Sequence, residues 1–209
     1  SEANAAADSS VAWFWRGGGT AVTNTSGSIT STVSASPASG FSIVRYSGNA
    51  TSGATVGHGL GVAPSMIIAK TVNDSGYNWP VYHISLTDAS YVLTLDSNLA
   101  QSQQTNKWNS TAPTSTLVTL GNHGTNVSGT NNQILYCFAP IAGYSAFGSY
   151  TGNGSTNGAF VHLGFRPRWL MIKRYDTTNN WVIQDTSRSV YNVSQNNIYA
   201  DSSGAEASY

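Results

Sequence analysis

Apolar and polar residues alternate in short runs along most of this chain, and turn-forming residues separate the runs. Phe41-Ser42-Ile43-Val44-Arg45-Tyr46 repeats with period two and stops at Ser47-Gly48-Asn49, as expected of a half-buried strand closed by a turn. Residues 66–70 form a compact apolar run, opened by Pro64 and closed by Asn73-Asp74-Ser75-Gly76. Residues 79–83, 91–95, 116–120 and 133–138 follow at short intervals, with Gly, Asn and Ser between them. Many short strands of this kind predict an all-β fold of the sandwich or barrel type. Helical periodicity is confined to residues 99–108, which read as one or two helical turns or an irregular loop. Residues 16–40 are rich in Gly, Ser and Thr and read as a linker with one strand at most.

The pattern repeats itself. Arg45-Tyr46-Ser47-Gly48-Asn49 returns as Ser149-Tyr150-Thr151-Gly152-Asn153. Gly61-Val62-Ala63-Pro64, leading to Lys70, returns as Gly164-Phe165-Arg166-Pro167, leading to Lys173. Asn78-Trp79-Pro80-Val81 returns as Asn180-Trp181-Val182-Ile183. The repeat therefore predicts two related sandwich-like units, 41–138 and 139–209, joined by short Gly/Ser-rich connectors, the second incomplete at its C-terminal side. Tyr46 with Tyr150, Trp79 with Trp181, Pro64 with Pro167 and Lys70 with Lys173 are its structural anchors, expected at superposable places.

Ala12-Trp13-Phe14-Trp15 also resembles Leu135-Tyr136-Cys137-Phe138. Residues 1–15 are accordingly expected to supply a terminal strand, over 11–15, of a preceding or neighbouring unit. Two explanations stay open. The 209 residues are a window of a longer chain, which is preferred, or segment 9–15 completes the second unit, in its own molecule or a neighbour's.

Composition narrows the function. Only 9% of residues are charged, the formal net charge is zero, and Ser, Thr, Asn and Gly make up 92 of the 209 residues. Without a basic stripe, phosphate-driven nucleic-acid binding is not expected, and no apolar run is long enough to insert in a membrane. Aromatic residues at 11% favour packing over disorder. The single cysteine, Cys137, lies in an apolar strand and is expected to be a buried, inert thiol. A large domain without disulfides suits folding in a reducing cytoplasm.

At this point the motifs carry a family resemblance. Gly40-Phe41-Ser42-Ile43-Val44, Gly57-His58-Gly59-Leu60-Gly61-Val62-Ala63-Pro64, residues 143–154 and Gly164-Phe165-Arg166-Pro167-Arg168-Trp169 resemble a repeated β domain of uncharacterised function from marine bacteriophage fibre and tail-associated proteins. The resemblance covers roughly residues 11–209. It implies a non-enzymatic virion structural protein, made in the host cytoplasm and placed on the virion surface for host attachment. Its implied partners are other virion proteins and copies of itself, with a trimer as the preferred stoichiometry. The family contributes no catalytic or ligand residues.

Candidate chemistry is sparse. Acidic residues number nine, and most Asp sit in turns, where a carboxylate caps backbone N–H groups. Asp96 and Asp185 border strands without an evident partner, so a glycosidase pair is not expected. His83 is replaced by Asp185 in the second unit, which reads as surface variation. No metal or cofactor site is expected. Trp108 and Trp169, with Arg166 and Arg168 beside the latter, are the candidate ligand-binding residues, since indole faces stack on sugars. A carbohydrate-binding adhesin is therefore the alternative function, and a polysaccharide depolymerase the third.

Overall fold

The alternation at 41–46 becomes a strand that buries Phe41, Val44 and Tyr46, and its neighbours assemble around it by antiparallel pairing. A computed structural model describes residues 10–190 and 194–208. The strands are β1 (Val22–Asn24), β2 (Ser31–Ser36), β3 (Phe41–Gly48), β4 (Thr55–Gly57), β5 (Met66–Thr71), β6 (Pro80–His83) and β7 (Tyr91–Thr94). They continue as β8 (Ser102–Gln103), β9 (Leu117–Thr119), β10 (Gly129–Phe138), β11 (Trp169–Lys173), β12 (Trp181–Asp185), β13 (Asn196–Tyr199) and β14 (Ala207–Ser208). A short α-helix, α1 (Thr105–Trp108), falls inside the segment that allowed a turn of helix. The chain is all-β.

Eight strands form one sheet in the order β1-β2-β3-β10-β5-β6-β7-β8, four form a second as β11-β12-β13-β14, and β4 pairs with β9. β10 pairs with β3 on one side and β5 on the other, so a late strand locks two early ones together. The continuous apolar run in β5 has a simple cause: both faces of the sheet are covered. Ile67 and Ala69 point into one core with Val33, Val44, Tyr46, Leu135 and Cys137, closed by Val56, Val118, Leu120 and Trp108 from the β4–β9 layer and α1. Ile68 points into the other, with Val81, Leu93 and, from β12 of the second sheet, Trp181, against which Met171 of β11 and Tyr175 just after it pack. The second core thus lies between the two sheets. Cys137 is fully buried, and burial pushes its thiol up to about 12.

The segments aligned in the sequence pair in the same register. In β5–β6, Met66 faces His83, Ile67 faces Tyr82 and Ile68 faces Val81. In β11–β12, Trp169 faces Asp185, Leu170 faces Gln184 and Met171 faces Ile183, which are the aligned positions. The next hairpins agree, Pro80 opposite Thr94 and Val182 opposite Tyr199. So do the last ones, Tyr91 opposite Gln103 and Asn196 opposite Ser208.

Three expectations need correction. Residues 16–40 are not a linker: they hold β1, β2 and a 3-10 turn at Pro37–Ser39, and β2 pairs with β3 over six positions. β2 reads Ser-Thr-Val-Ser-Ala-Ser, with Val33 as its large buried side chain, so small polar residues hid a strand that the neighbouring β3 templates. Gly40 then reverses the chain at φ +65°, where an added Cβ would stand 2.2 Å from the Ala139 carbonyl oxygen.

Second, residues 11–15 form no strand in this chain. The rings of Trp13 and Trp15 instead meet other rings edge-on, as described below. Third, Tyr150 does not share the place of Tyr46. Tyr46 is 1% exposed in β3, where its hydroxyl donates to the Thr125 carbonyl, whereas Tyr150 is 52% exposed in coil. Among the described residues the β3-like sequence 145–152 has no β10-like strand beside it, and an isolated strand cannot satisfy its own backbone.

Candidate functional site: an aromatic corner on the second meander

Pro167 and Arg168 deliver the chain into β11, whose first residue is Trp169. The Trp169 ring is half-buried under two indoles from the N-terminal segment. Trp15 stands edge-on to it at 5.3 Å between centroids, and Trp13 at 6.5 Å. Trp15 also meets Phe138 at 6.1 Å, and Phe138 continues to Phe41 at 4.9 Å and Phe147 at 6.4 Å. Edge-to-face contacts of this kind add about 0.5–1.5 kcal/mol each beyond burial. The cluster fastens the N-terminal segment, the end of β10 and the start of β11 to one another. Phe14 points away from it and is 92% exposed.

Arg166 and Arg168 are exposed beside this corner, so the structure brings three of the four candidate ligand residues together. A cleft of about 70 Å³ runs between Pro167, Arg168, Trp169, Gln184, Asp185 and Ser194. That is far below the few hundred Å³ of a small-molecule pocket. Trp108 stands apart and is corrected: only 1% exposed, it packs on Tyr82 at 6.3 Å inside the first core and has no face to offer a ligand. Its position at the end of α1 turns the indole inward under the β4–β9 layer.

The repeat anchors divide. Trp79 and Trp181 both belong to the core between the sheets, and each donates its backbone N–H to an aligned carboxylate, Asp96 at 2.9 Å and Asp201 at 3.0 Å. Trp181 Nε1 also donates to the Thr94 carbonyl at 2.9 Å, tying the second sheet to the first. Pro64 is buried and Pro167 half-buried, each just before its meander. Lys70 and Lys173 occupy aligned strand ends but differ in partners. The Lys70 ammonium donates to the Tyr77 carbonyl and lies 5.5 Å from the Trp79 ring centre, whereas Lys173 donates to the Arg174 carbonyl.

Every acidic side chain among the described residues is committed. Asp74 and Asp88 accept backbone N–H groups two residues ahead, and Asp176 pairs with Arg174. Asp185 sits on Arg188 at 2.7 Å, and Arg188 reaches on to Glu206 at 2.8 Å. Burial alone would raise the Asp185 carboxyl, but Arg188 and the amides of Ser187 and Arg188 outweigh it and hold the carboxyl below its usual range. His83 and Asp185 are more than surface variation. His83 Nδ1 accepts the Ser85 N–H at 3.1 Å, and Asp185 accepts the aligned Ser187 N–H at 3.0 Å. Different chemistry caps one turn.

Sequence reasoning missed a polar cluster at α1, in which Lys107 is buried and His123 exposed. Lys107, 9% exposed, places its ammonium 2.8 Å from His123 Nδ1, and the His123 ring meets Tyr77 edge-on at 5.2 Å. Burial lowers the Lys107 pKa, and burial plus the lysine charge lower that of His123, so the imidazole accepts as a neutral ring. The Lys107 carbonyl accepts from Gly121 N–H and Thr125 Oγ1, and together these bonds pin loop 121–125 on α1. A lysine near a His-containing Gly-rich turn was the signal, but sixteen residues of separation hid it. His58 is likewise internal, with Nε2 against the Thr114 carbonyl at 3.2 Å and Nδ1 accepting from Leu60 N–H. Among the described residues no group of three or more His, Cys, Asp or Glu gathers to hold a metal, and no helix is long and apolar enough to cross a membrane.

Comparison with curated proteins and with solved structures finds no match. A family model described as a domain of unknown function (DUF7483) matches residues 1–209, and the chain belongs to that family.

Proposed function

We propose that this chain is a non-enzymatic structural module of a bacteriophage virion, part of a fibre, spike or other surface appendage that serves host attachment. The observation that carries the reading is the duplicated meander, β5–β8 and β11–β14, paired in one register and packed through a shared core. Repeated modules that bury a common face suit an extended scaffold. The motifs at 143–154 and 164–169, which resemble phage fibre and tail-associated domains, supply the context. The commitment of every described carboxylate to a backbone amide or an arginine supports a structural role over a catalytic one. On this reading the protein is made in the host cytoplasm and works on the particle surface, beside other virion proteins and copies of itself. Peptide mass spectrometry of purified particles, with antibody labelling in the electron microscope, tests it. The expected result is a fixed copy number and label on an appendage; detection in infected-cell lysate but not in particles would sink it.

A carbohydrate-binding adhesin is the second reading. It is favoured by the exposed rings of Tyr144, Tyr150 and Phe160 on the coil that leads to Arg166 and Arg168. A glycan array probed with the native chain and with Tyr150→Ala and Arg168→Ala would separate the two readings. Release of reducing ends from a bound glycan would point to a depolymerase instead.

A further inference from the structure

The second sheet has one edge unlike the others. β1, β8 and β14, the remaining edges of the two large sheets, are two or three residues long and read Val-Thr-Asn, Ser-Gln and Ala-Ser. Short polar edges are how sheets avoid unwanted pairing. β11 is five residues of Trp-Leu-Met-Ile-Lys, and among the described residues only β12 pairs with it. Its aligned strand, β5, is covered on that side along its whole length by β10, with Phe138 opposite Met66 and Leu135 opposite Ala69.

Register names the missing strand. Met66 aligns with Trp169 and Ala69 with Ile172, so β11 calls for an antiparallel strand with an aromatic residue opposite Trp169 and a small or aliphatic one opposite Ile172. Ala12-Trp13-Phe14-Trp15 has that pattern, matching Leu135-Tyr136-Cys137-Phe138 position by position. In β10, Tyr136 and Phe138 face the core between the sheets while Cys137 faces the other core and is fully buried. The same placement would turn Trp13 and Trp15 inward and cover Phe14, now 92% exposed.

The chain's own segment does not run along β11. Trp13 and Trp15 both crowd onto Trp169, at the first residue of the strand, and residues 10–18 form no ladder. Behind them the chain is held to β2 and the 3-10 turn after it: the Arg16 carbonyl accepts from Ser39 Oγ at 3.2 Å, and Gly18 lies so close to Ala35 that a Cβ would stand 1.8 Å from its carbonyl oxygen. In a second copy the same contacts hold residues 16–18 to that copy's own body, and they place no constraint on where its residues 11–15 lie relative to the β11 of this chain.

We propose that the free edge of β11 is an acceptor for residues 11–15 of a second copy of this chain, added as an antiparallel strand in the register of β10 on β5. Backbone pairing gives such strand addition its affinity and the alternate side chains give it specificity. The added strand offers its own outer edge to residues 145–152, as β10 offers one to β3, and Tyr150 then takes the place of Tyr46. The inference deepens the appendage reading by naming its partner, a copy of itself.

The test uses two variants of the full chain that each add one cysteine, Ala12→Cys and Ile172→Cys, with buried Cys137 left in place. Mixed under mild oxidation, they are expected to give a disulfide-linked heterodimer, and each alone none through that pair. In the otherwise native chain, Phe14→Asp should weaken self-association at least tenfold by sedimentation velocity, with the monomer still folded. Hydrogen exchange should slow at 169–173 and at 145–152 as concentration rises. A monomer at every concentration, or cross-linking only when both cysteines share one chain, would overturn the proposal. Presence in virions is a separate measurement, so failure of the strand exchange and failure of the appendage reading are distinguishable.

Discussion

The meander β5–β8 and the meander β11–β14 pair in the same register, yet the first lies inside an eight-stranded sheet and the second ends at an open edge. The local hairpins are alike because their pairing is set by short-range pattern and turn caps. Asp96 and Asp201 receive aligned backbone N–H groups, and His83 and Asp185 cap aligned turns. What surrounds the hairpins is not alike. β10 covers β5 and gives β3 a partner; β11 has no such neighbour among the described residues, and the β3-like segment 145–152 stays coil. A hairpin is thus a local unit, whereas a sheet is made by strands arriving from far along the chain.

The sharpest break in the comparison is at the two tyrosines. Tyr46→Ala is expected to cost about 3–5 kcal/mol, the range for removing a buried aromatic side chain, while Tyr150→Ala should stay within about 0.5 kcal/mol in the monomer. Urea denaturation at low protein concentration measures both, and equal costs would mean that 145–152 is already packed like β3.

Next come the tryptophans. Trp181 is buried and bonded to the Thr94 carbonyl, whereas Trp79 is half-buried at the rim of the same core. Trp181→Ala is therefore expected to cost about 3 kcal/mol or more and Trp79→Ala clearly less. A reversed order would separate the second sheet from the first.

The carboxylate caps give a smaller effect. Asp201→Ala leaves the part-buried Trp181 N–H without its acceptor and should cost about 1 kcal/mol, with Asp96→Ala below it because its site is exposed. Chemical denaturation of both variants would show whether one device serves both meanders.

The smallest effect is a pH dependence. Burial lowers the pKa of His83, as it does for His58 and His123, so the folded chain prefers neutral imidazoles. The unfolded rings take up protons near their ordinary value of about 6.5. Stability is then full above that pH and declines as pH falls toward the depressed folded values. His83→Asp copies the second meander's cap and should shrink this acid-side loss, leaving stability at pH 8 nearly unchanged. If the thermal midpoint of His83→Asp fell with acidification as steeply as that of the native chain, His83 would carry none of the loss.

Much of this is legible in the sequence. Strands with large alternating side chains stood out at 41–46, 66–70 and 133–138, and so did the burial of Cys137, because apolar periodicity is a local signal. β2 was not legible, since its Ser, Thr and Ala become a strand only when β3 templates them. Nor was the inward turn of Trp108, because an indole reads the same in a sequence whether it faces a core or a ligand. The pairing of Lys107 with His123 depended on a loop folding back over α1.

The sequence by itself determined the strands with large apolar side chains, β3, β5 and β10, and the turns and register of the local hairpins, all of which depend on residues close together in the chain. Tertiary structure alone decided which aligned segment became a strand. Tyr46 and Tyr150 sit in similar sequences, and among the described residues only the first has a strand such as β10 beside it to accept its backbone hydrogen bonds.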